Sequence, residues 1–171
     1  MEKETIKKIF KFLEENEGHQ TPFLWKWVNN IPLTEKDLNI EGELDLTNTD
    51  IKSLPDGLKV AGDLNLTETD MESLPERLEV AGNLYLDHSF IKSLPKDLKV
   101  GGDLSIEATY IKSLPRGLQV GGDLYLNDSY LYKTTSLNEL RDIVKKMVEP
   151  GFIKGNVIFD EEGENWLKSD M

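Results

Sequence analysis

Residues 62–81 read Gly-Asp-Leu-Asn-Leu-Thr-Glu-Thr-Asp-Met-Glu-Ser-Leu-Pro-Glu-Arg-Leu-Glu-Val-Ala, and residues 82–101 follow the same order as Gly-Asn-Leu-Tyr-Leu-Asp-His-Ser-Phe-Ile-Lys-Ser-Leu-Pro-Lys-Asp-Leu-Lys-Val-Gly. The period is twenty residues. Further copies in register open at Gly42, Gly102 and Gly122, the last leaving the pattern after Leu131. Self-similarity at a fixed period of this length marks a repeat architecture, in which each unit stacks on its neighbours.

Within residues 62–81 the apolar positions are Leu64, Leu66, Met71, Leu74, Leu78 and Val80. Leu-x-Leu and Leu-x-Val are period-two fragments, so each predicts a short strand with alternate side chains pointing inward. The Ser-Leu-Pro step between them cannot lie inside a helix, because proline lacks a donor and holds the preceding residue extended. Gly62, Gly82, Gly102 and Gly122 recur at one corner, where a tight turn or a positive φ is expected. One turn cannot bury its own apolar edge. Turns stacked about 4.8 Å apart can, which predicts a parallel ladder around a column of Leu, Ile and Val.

The motif Leu-x-Leu-x-x-(Thr/Ser)-x-Ile-x-x-Leu-Pro-x-x-Leu, spread over residues 38–131, resembles the leucine-rich repeats, most closely the short twenty-residue variety of bacterial and phage proteins. The resemblance implies a right-handed solenoid that recognises proteins through the surface of its parallel sheet. The chain departs from the family pattern in two ways. Thr49, Thr69, Ser89, Thr109 and Ser129 replace the asparagine that usually turns the chain after the strand, so a ladder of hydroxyls is expected to satisfy the backbone there. Leu-x-Val also sits four residues before the next Leu-x-Leu, which predicts a fuller β-solenoid cross-section than the usual horseshoe.

Solenoid ends expose an apolar cross-section that terminal units must cover. The sequence divides into an N-terminal helical cap (1–37), the repeats (38–133) and a C-terminal cap (134–171), all one folding unit. Ile6, Ile9, Phe10 and Leu13 share a helical stripe over residues 3–16, and Thr21-Pro22 is an N-cap and first-turn proline opening a helix from Phe23 to Val28. Trp25 and Trp27 supply apolar area near the first turn, and a half-repeat from Ile31 to Ile40 joins them to the array. Ser136-Leu-Asn-Glu139 is a capping box for a helix to about Val148, with Leu140, Ile143, Val144 and Met147 as its buried face, stopped by Pro150-Gly151. Residues 153–159 then copy the corner and strand, predicting a sixth strand. Residues 161–171 are acidic and polar apart from Trp166, a last helix or a loose tail.

A chain of 171 residues with 38% hydrophobic content suits a single core. There are no cysteines, the N-terminus lacks the apolar core of a signal peptide, and no run of eighteen apolar residues occurs. The expectation is a cytoplasmic protein, of the producing cell or of a host, with a monomer favoured and no membrane contact. Only His19 and His88 are common neutral-pH acid or base groups, and no phosphate loop, zinc spacing or calcium loop is present. The sequence therefore points away from an enzyme and predicts no catalytic, cofactor or metal site.

Charge is distributed unevenly. The windows 41–51, 61–71, 81–91, 101–111 and 121–131 hold no lysine or arginine but 12 acids: Glu41, Glu43, Asp45, Asp50, Asp63, Glu68, Asp70, Asp87, Asp103, Glu107, Asp123 and Asp128. Removing them from the chain's 32 acidic residues leaves 20, balanced by 20 basic ones, so the net charge of -12 resides in this part of each turn. Like charges on adjacent strands are unfavourable, although a carboxylate at the Gly-Asp corner can also serve by holding backbone amides. Beside the acids, the residue before the inward Ile, Met or Leu reads Asp50, Asp70, Phe90, Tyr110, Tyr130, and the outward strand position reads Asp45, Asn65, Tyr85, Ser105, Tyr125. Aromatics rimmed by carboxylates have the composition of a binding hot spot. The expected function is a non-enzymatic interaction module whose face of Tyr85, Phe90, Tyr110, Tyr125 and Tyr130, with Asp45, Asp50, Asp63, Asp70, Asp103, Glu107 and Asp123, docks a protein carrying a basic patch, without direct nucleic-acid contact. The alternative is an acidic inhibitor occupying the nucleic-acid site of a DNA- or RNA-binding enzyme, since the carboxylates approach the charge spacing of a duplex.

Overall fold

The computed structural model describes residues 23–147 and 151–158, and these form a parallel β-solenoid with short helices at its ends. Each turn contributes two strands of two residues. One six-stranded parallel sheet comprises β1 (Asn39–Ile40), β3 (Lys59–Val60), β5 (Glu79–Val80), β7 (Lys99–Val100), β9 (Gln119–Val120) and β11 (Phe152–Ile153). The other comprises β2 (Leu44–Asp45), β4 (Leu64–Asn65), β6 (Leu84–Tyr85), β8 (Leu104–Ser105), β10 (Leu124–Tyr125) and β12 (Val157–Ile158). The register advances by one repeat per rung, pairing Leu44 with Leu64 and Leu64 with Leu84, until Leu124 pairs with Val157 beyond the inserted helices. The expected sixth strand is thus present as β12, and β11 precedes it as a sixth strand of the other sheet.

Burial follows the repeat. Leu64, Leu66, Met71, Leu74, Leu78 and Val80 are all buried, and their equivalents in the neighbouring turns continue the column, apart from a partly buried Ile51 in the first. Beside it runs the expected hydroxyl ladder. The buried Thr49, Thr69, Ser89 and Thr109 donate to the carbonyls of Leu46, Leu66, Leu86 and Ile106 at 2.6, 2.8, 2.5 and 2.7 Å. A hydroxyl hidden here without that acceptor would cost about 1–3 kcal/mol.

The corner glycines need a different explanation from positive φ. The left-handed conformation falls instead at two other positions of the turn: Asn48, Glu68, His88, Ala108 and Asp128, with φ between 50° and 55°, and Gly57, Arg77, Asp97 and Gly117, with φ between 57° and 81°. Gly62 and Gly82 are required by close approach: a Cβ on Gly82 would lie 2.3 Å from Asp63 Oδ1 and 2.7 Å from the Gly62 carbonyl carbon. That space is used by an amide ladder. The N–H groups of Asn83, Asp103, Asp123 and Asn156 donate to the Oδ1 atoms of Asp63, Asn83, Asp103 and Asp123 at 2.7, 2.7, 2.8 and 2.5 Å.

At the first end, α1 (Phe23–Val28) buries Phe23 and Leu24, while Trp25 is 42% exposed. Helical geometry is the reason the tryptophans divide: Trp27 falls four residues after Phe23 on the inward stripe, and Trp25 falls off it. Trp27 Nε1 donates to the Ser53 carbonyl at 3.2 Å. Lys26 Nζ meets Asp37 at 2.6 Å, and this bond, with those from Thr34, holds the Asp37 carboxyl down at about 2. At the other end the chain leaves the repeat through α2 (Tyr130–Thr134), a helix the sequence did not reveal, capped where Ser129 Oγ accepts from the Tyr132 N–H. Next comes α3 (Leu137–Met147), opened by the capping box: Ser136 N–H and Oγ donate to Glu139 Oε2 at 3.1 and 2.8 Å. Leu140 and Val144 are buried and Ile143 is partly so. The expectations for residues 3–16, the Thr21-Pro22 cap, the Met147 side chain and residues 161–171 lie outside the described residues.

Candidate protein-interaction face

Two rows of predicted binding residues lie on either side of the left-handed corner at residues 48, 68, 88, 108 and 128. The first is the outward face of the sheet containing β2 to β12, where register aligns Asp45, Asn65, Tyr85, Ser105, Tyr125 and Ile158. Tyr85 and Tyr125 are half-buried and flank Ser105, which is buried. The Ser105 hydroxyl donates to Asp87 Oδ1, as does the Glu107 N–H at 2.9 Å. Burial pushes the Glu107 carboxyl above its ordinary value, and Asp87 and Asp128 add to the effect against an opposing His88. Burial likewise raises the Tyr125 phenol, reinforced by Asp103, Asp123, Tyr85 and Glu107. Both shifts come first from burial, with the neighbouring acids of turns three to five as the smaller contribution.

The acids are not equivalent. Asp63, Asp103 and Asp123 are half-buried and accept the amides of the next turn, so part of their charge is committed to the fold. Asp45 is exposed and accepts from the Thr47 N–H and hydroxyl at 2.9 and 2.6 Å. Asp50 is half-buried and Asp70 exposed, and both head the second row.

That second row continues as Phe90, Tyr110 and Tyr130, exposed by 49, 51 and 42%. The Phe90 and Tyr110 rings are parallel to within 5°, with centroids 6.1 Å apart. Lys112 Nζ lies over the Tyr130 ring, 5.4 Å from its centroid. The row is also bordered by cations from the other half of each turn. Two residues after each aromatic position the chain reads Lys92, Lys112 and Tyr132, a register that was legible in the repeat alignment. Lys92 pairs with Glu72 of the preceding turn at 2.6 Å, and Lys133 with Asp128 at 3.0 Å.

The opposite sheet carries a shallow groove lined by Lys59, Glu79, Lys99 and Gln119 beside Ala61, Ala81, Gly101 and Gly121. Among the described residues no group of three or more acidic or histidine side chains is placed to hold a metal, and no helix is long and apolar enough to cross a membrane. His88 occupies the left-handed corner of the third turn. Its fold makes the chain a parallel β-solenoid repeat protein. Compared with family models, curated proteins and solved structures, it gives no match.

Proposed function

We propose that this protein is a non-enzymatic interaction module of the leucine-rich-repeat kind, binding a protein with a basic patch through its acidic and aromatic surface. The observation that carries the reading is the exposed row Phe90, Tyr110, Tyr130. Large aromatic side chains occupy three successive equivalent positions that the fold does not bury, beside Tyr85 and Tyr125 in an acidic setting. Aromatic anchors that bury on docking supply most of the energy of many interfaces. In this reading the module acts as a monomer in the cytoplasm.

The test is affinity capture from a lysate of the source cell with nuclease present, elution at stepped salt, and mass spectrometry. A basic partner retained by the native chain and lost by Phe90→Ala/Tyr110→Ala, with thermal unfolding unchanged, is the expected result. Undiminished capture by the double variant sinks the reading. Binding that collapses steeply with salt and competes with nucleic acid replaces it with the acidic-inhibitor reading. That alternative draws less support, because Asp63, Asp103 and Asp123 also serve as internal acceptors.

A further inference from the structure

The row from Asp50 to Tyr130 runs along the solenoid axis, one residue per rung, and spans about 19 Å at the usual strand spacing. Its chemistry changes along that length. The first two rungs present carboxylates, with exposed Glu68 on the adjoining corner, and the next three present aromatic rings. The Phe90 and Tyr110 rings are held parallel, and Lys112 Nζ already rests over the third ring. Phe90 and Tyr110 are each about half exposed, so the faces that the pair does not turn toward each other are open to a cation. Lys92 is held by Glu72, and among the described residues the cation placed over this row rests on Tyr130 and not on the first two rings.

We infer that this row is a docking track for an arginine-bearing protein segment lying along the solenoid axis, with one guanidinium stacked on an outer face of the Phe90–Tyr110 pair and another paired with Asp70. This inference rests on the reading proposed above and narrows it to one row and one side chain. Arginine fits both halves of the track. Its planar guanidinium stacks on aromatic faces and pairs bidentately with carboxylates, whereas an ammonium is a compact and strongly hydrated point charge. Stacked aromatics also serve single-stranded nucleic acids in positively charged grooves; the lysines bordering this row are engaged within the protein, Lys92 with Glu72 and Lys112 over Tyr130. Here Asp70 and Glu68 continue the row and repel a phosphate backbone.

The probes are two synthetic fifteen-residue peptides of equal charge, one with arginine and one with lysine at the same positions, titrated against the full chain at near-physiological salt by fluorescence anisotropy. The arginine peptide is expected to bind about tenfold more tightly. Phe90→Leu/Tyr110→Leu keeps apolar bulk without a π face and is expected to remove that preference while leaving the weak affinity for the lysine peptide. Asp70→Asn is expected to weaken both. Equal affinities for the two peptides, a preference that survives the leucine variant, or tighter binding of a single-stranded oligonucleotide would each overturn the inference. Stripe-dependent capture of the cellular partner would then still stand, so failure here is distinguishable from failure of the broader reading.

Discussion

The corner carrying Asp63, Asn83, Asp103 and Asp123 and the row carrying Asp50, Asp70, Phe90, Tyr110 and Tyr130 belong to the same repeat, yet only the corner is uniform. At the corner each side chain accepts the backbone amide of the next turn, so every rung imposes the same demand on its neighbour. On the row Asp70, Phe90, Tyr110 and Tyr130 are exposed, and neighbouring rungs meet there through side chains, as in the Phe90–Tyr110 stack, not through a side-chain acceptor for the next turn's amide. Within one chain, regularity marks what the solenoid uses to hold itself together. Variation marks what is left for contacts outside it.

That contrast can be broken at graded strengths. The largest effect is expected for Gly82→Ala, whose Cβ would fall on the ladder acceptor Asp63 and on the Gly62 backbone. The loss is about 3 kcal/mol in urea unfolding, and an unchanged midpoint would show that the corner yields. Next comes Asp103→Ala, which strips the acceptor from the Asp123 N–H and is expected to lose about 1–2 kcal/mol. Asp103→Asn should be nearly neutral, because Asn83 already fills that role one turn earlier. A large loss in the asparagine variant would mean that charge, not the oxygen acceptor, matters at this corner.

Glu107 gives a smaller and pH-dependent effect. Its carboxyl is raised in the fold, so its contribution to stability is fully present in acid, below the ordinary glutamate range, and is lost as pH rises through the folded value. Glu107→Gln is therefore expected to stabilise the protein near neutrality by less than about 1 kcal/mol, with the difference vanishing in acid. Thermal unfolding of both chains across that range checks the sign. Smallest of all is the stability effect of Phe90→Ala/Tyr110→Ala, expected within about 0.5 kcal/mol as for exposed substitutions. A loss of several kcal/mol would move the aromatic row into the class of the corner and remove its claim to be a binding surface.

The repeat alignment made the twenty-residue turn, both strands of each rung, the core column and the hydroxyl ladder legible, because each rests on a side chain recurring at one spacing. It also exposed the Gly-Asx corner, though not its cause. Left-handed backbone at Glu68 and Ala108 left no compositional signal, since neither is a typical turn residue; stacking against neighbouring rungs imposes that conformation. The helix at Tyr130–Thr134 was hidden for a related reason. Tyr130 and Leu131 still match the repeat, and the helix starts where Ser129 exchanges its ladder role for a cap. The face was legible only as composition. Its division into a half-buried Tyr85-Ser105-Tyr125 row and an exposed Phe90-Tyr110-Tyr130 row depends on a corner between them.

By itself the sequence determined the architecture, because a period of twenty with inward Leu, Ile and Val has one economical way to bury its apolar edge, rung upon rung. The tertiary structure alone decided which carboxylates work inside and which face out. Asp63 and Asp70 are the same residue in one repeat, and only the approach of the next turn's backbone, within hydrogen-bonding reach of the first, tells them apart.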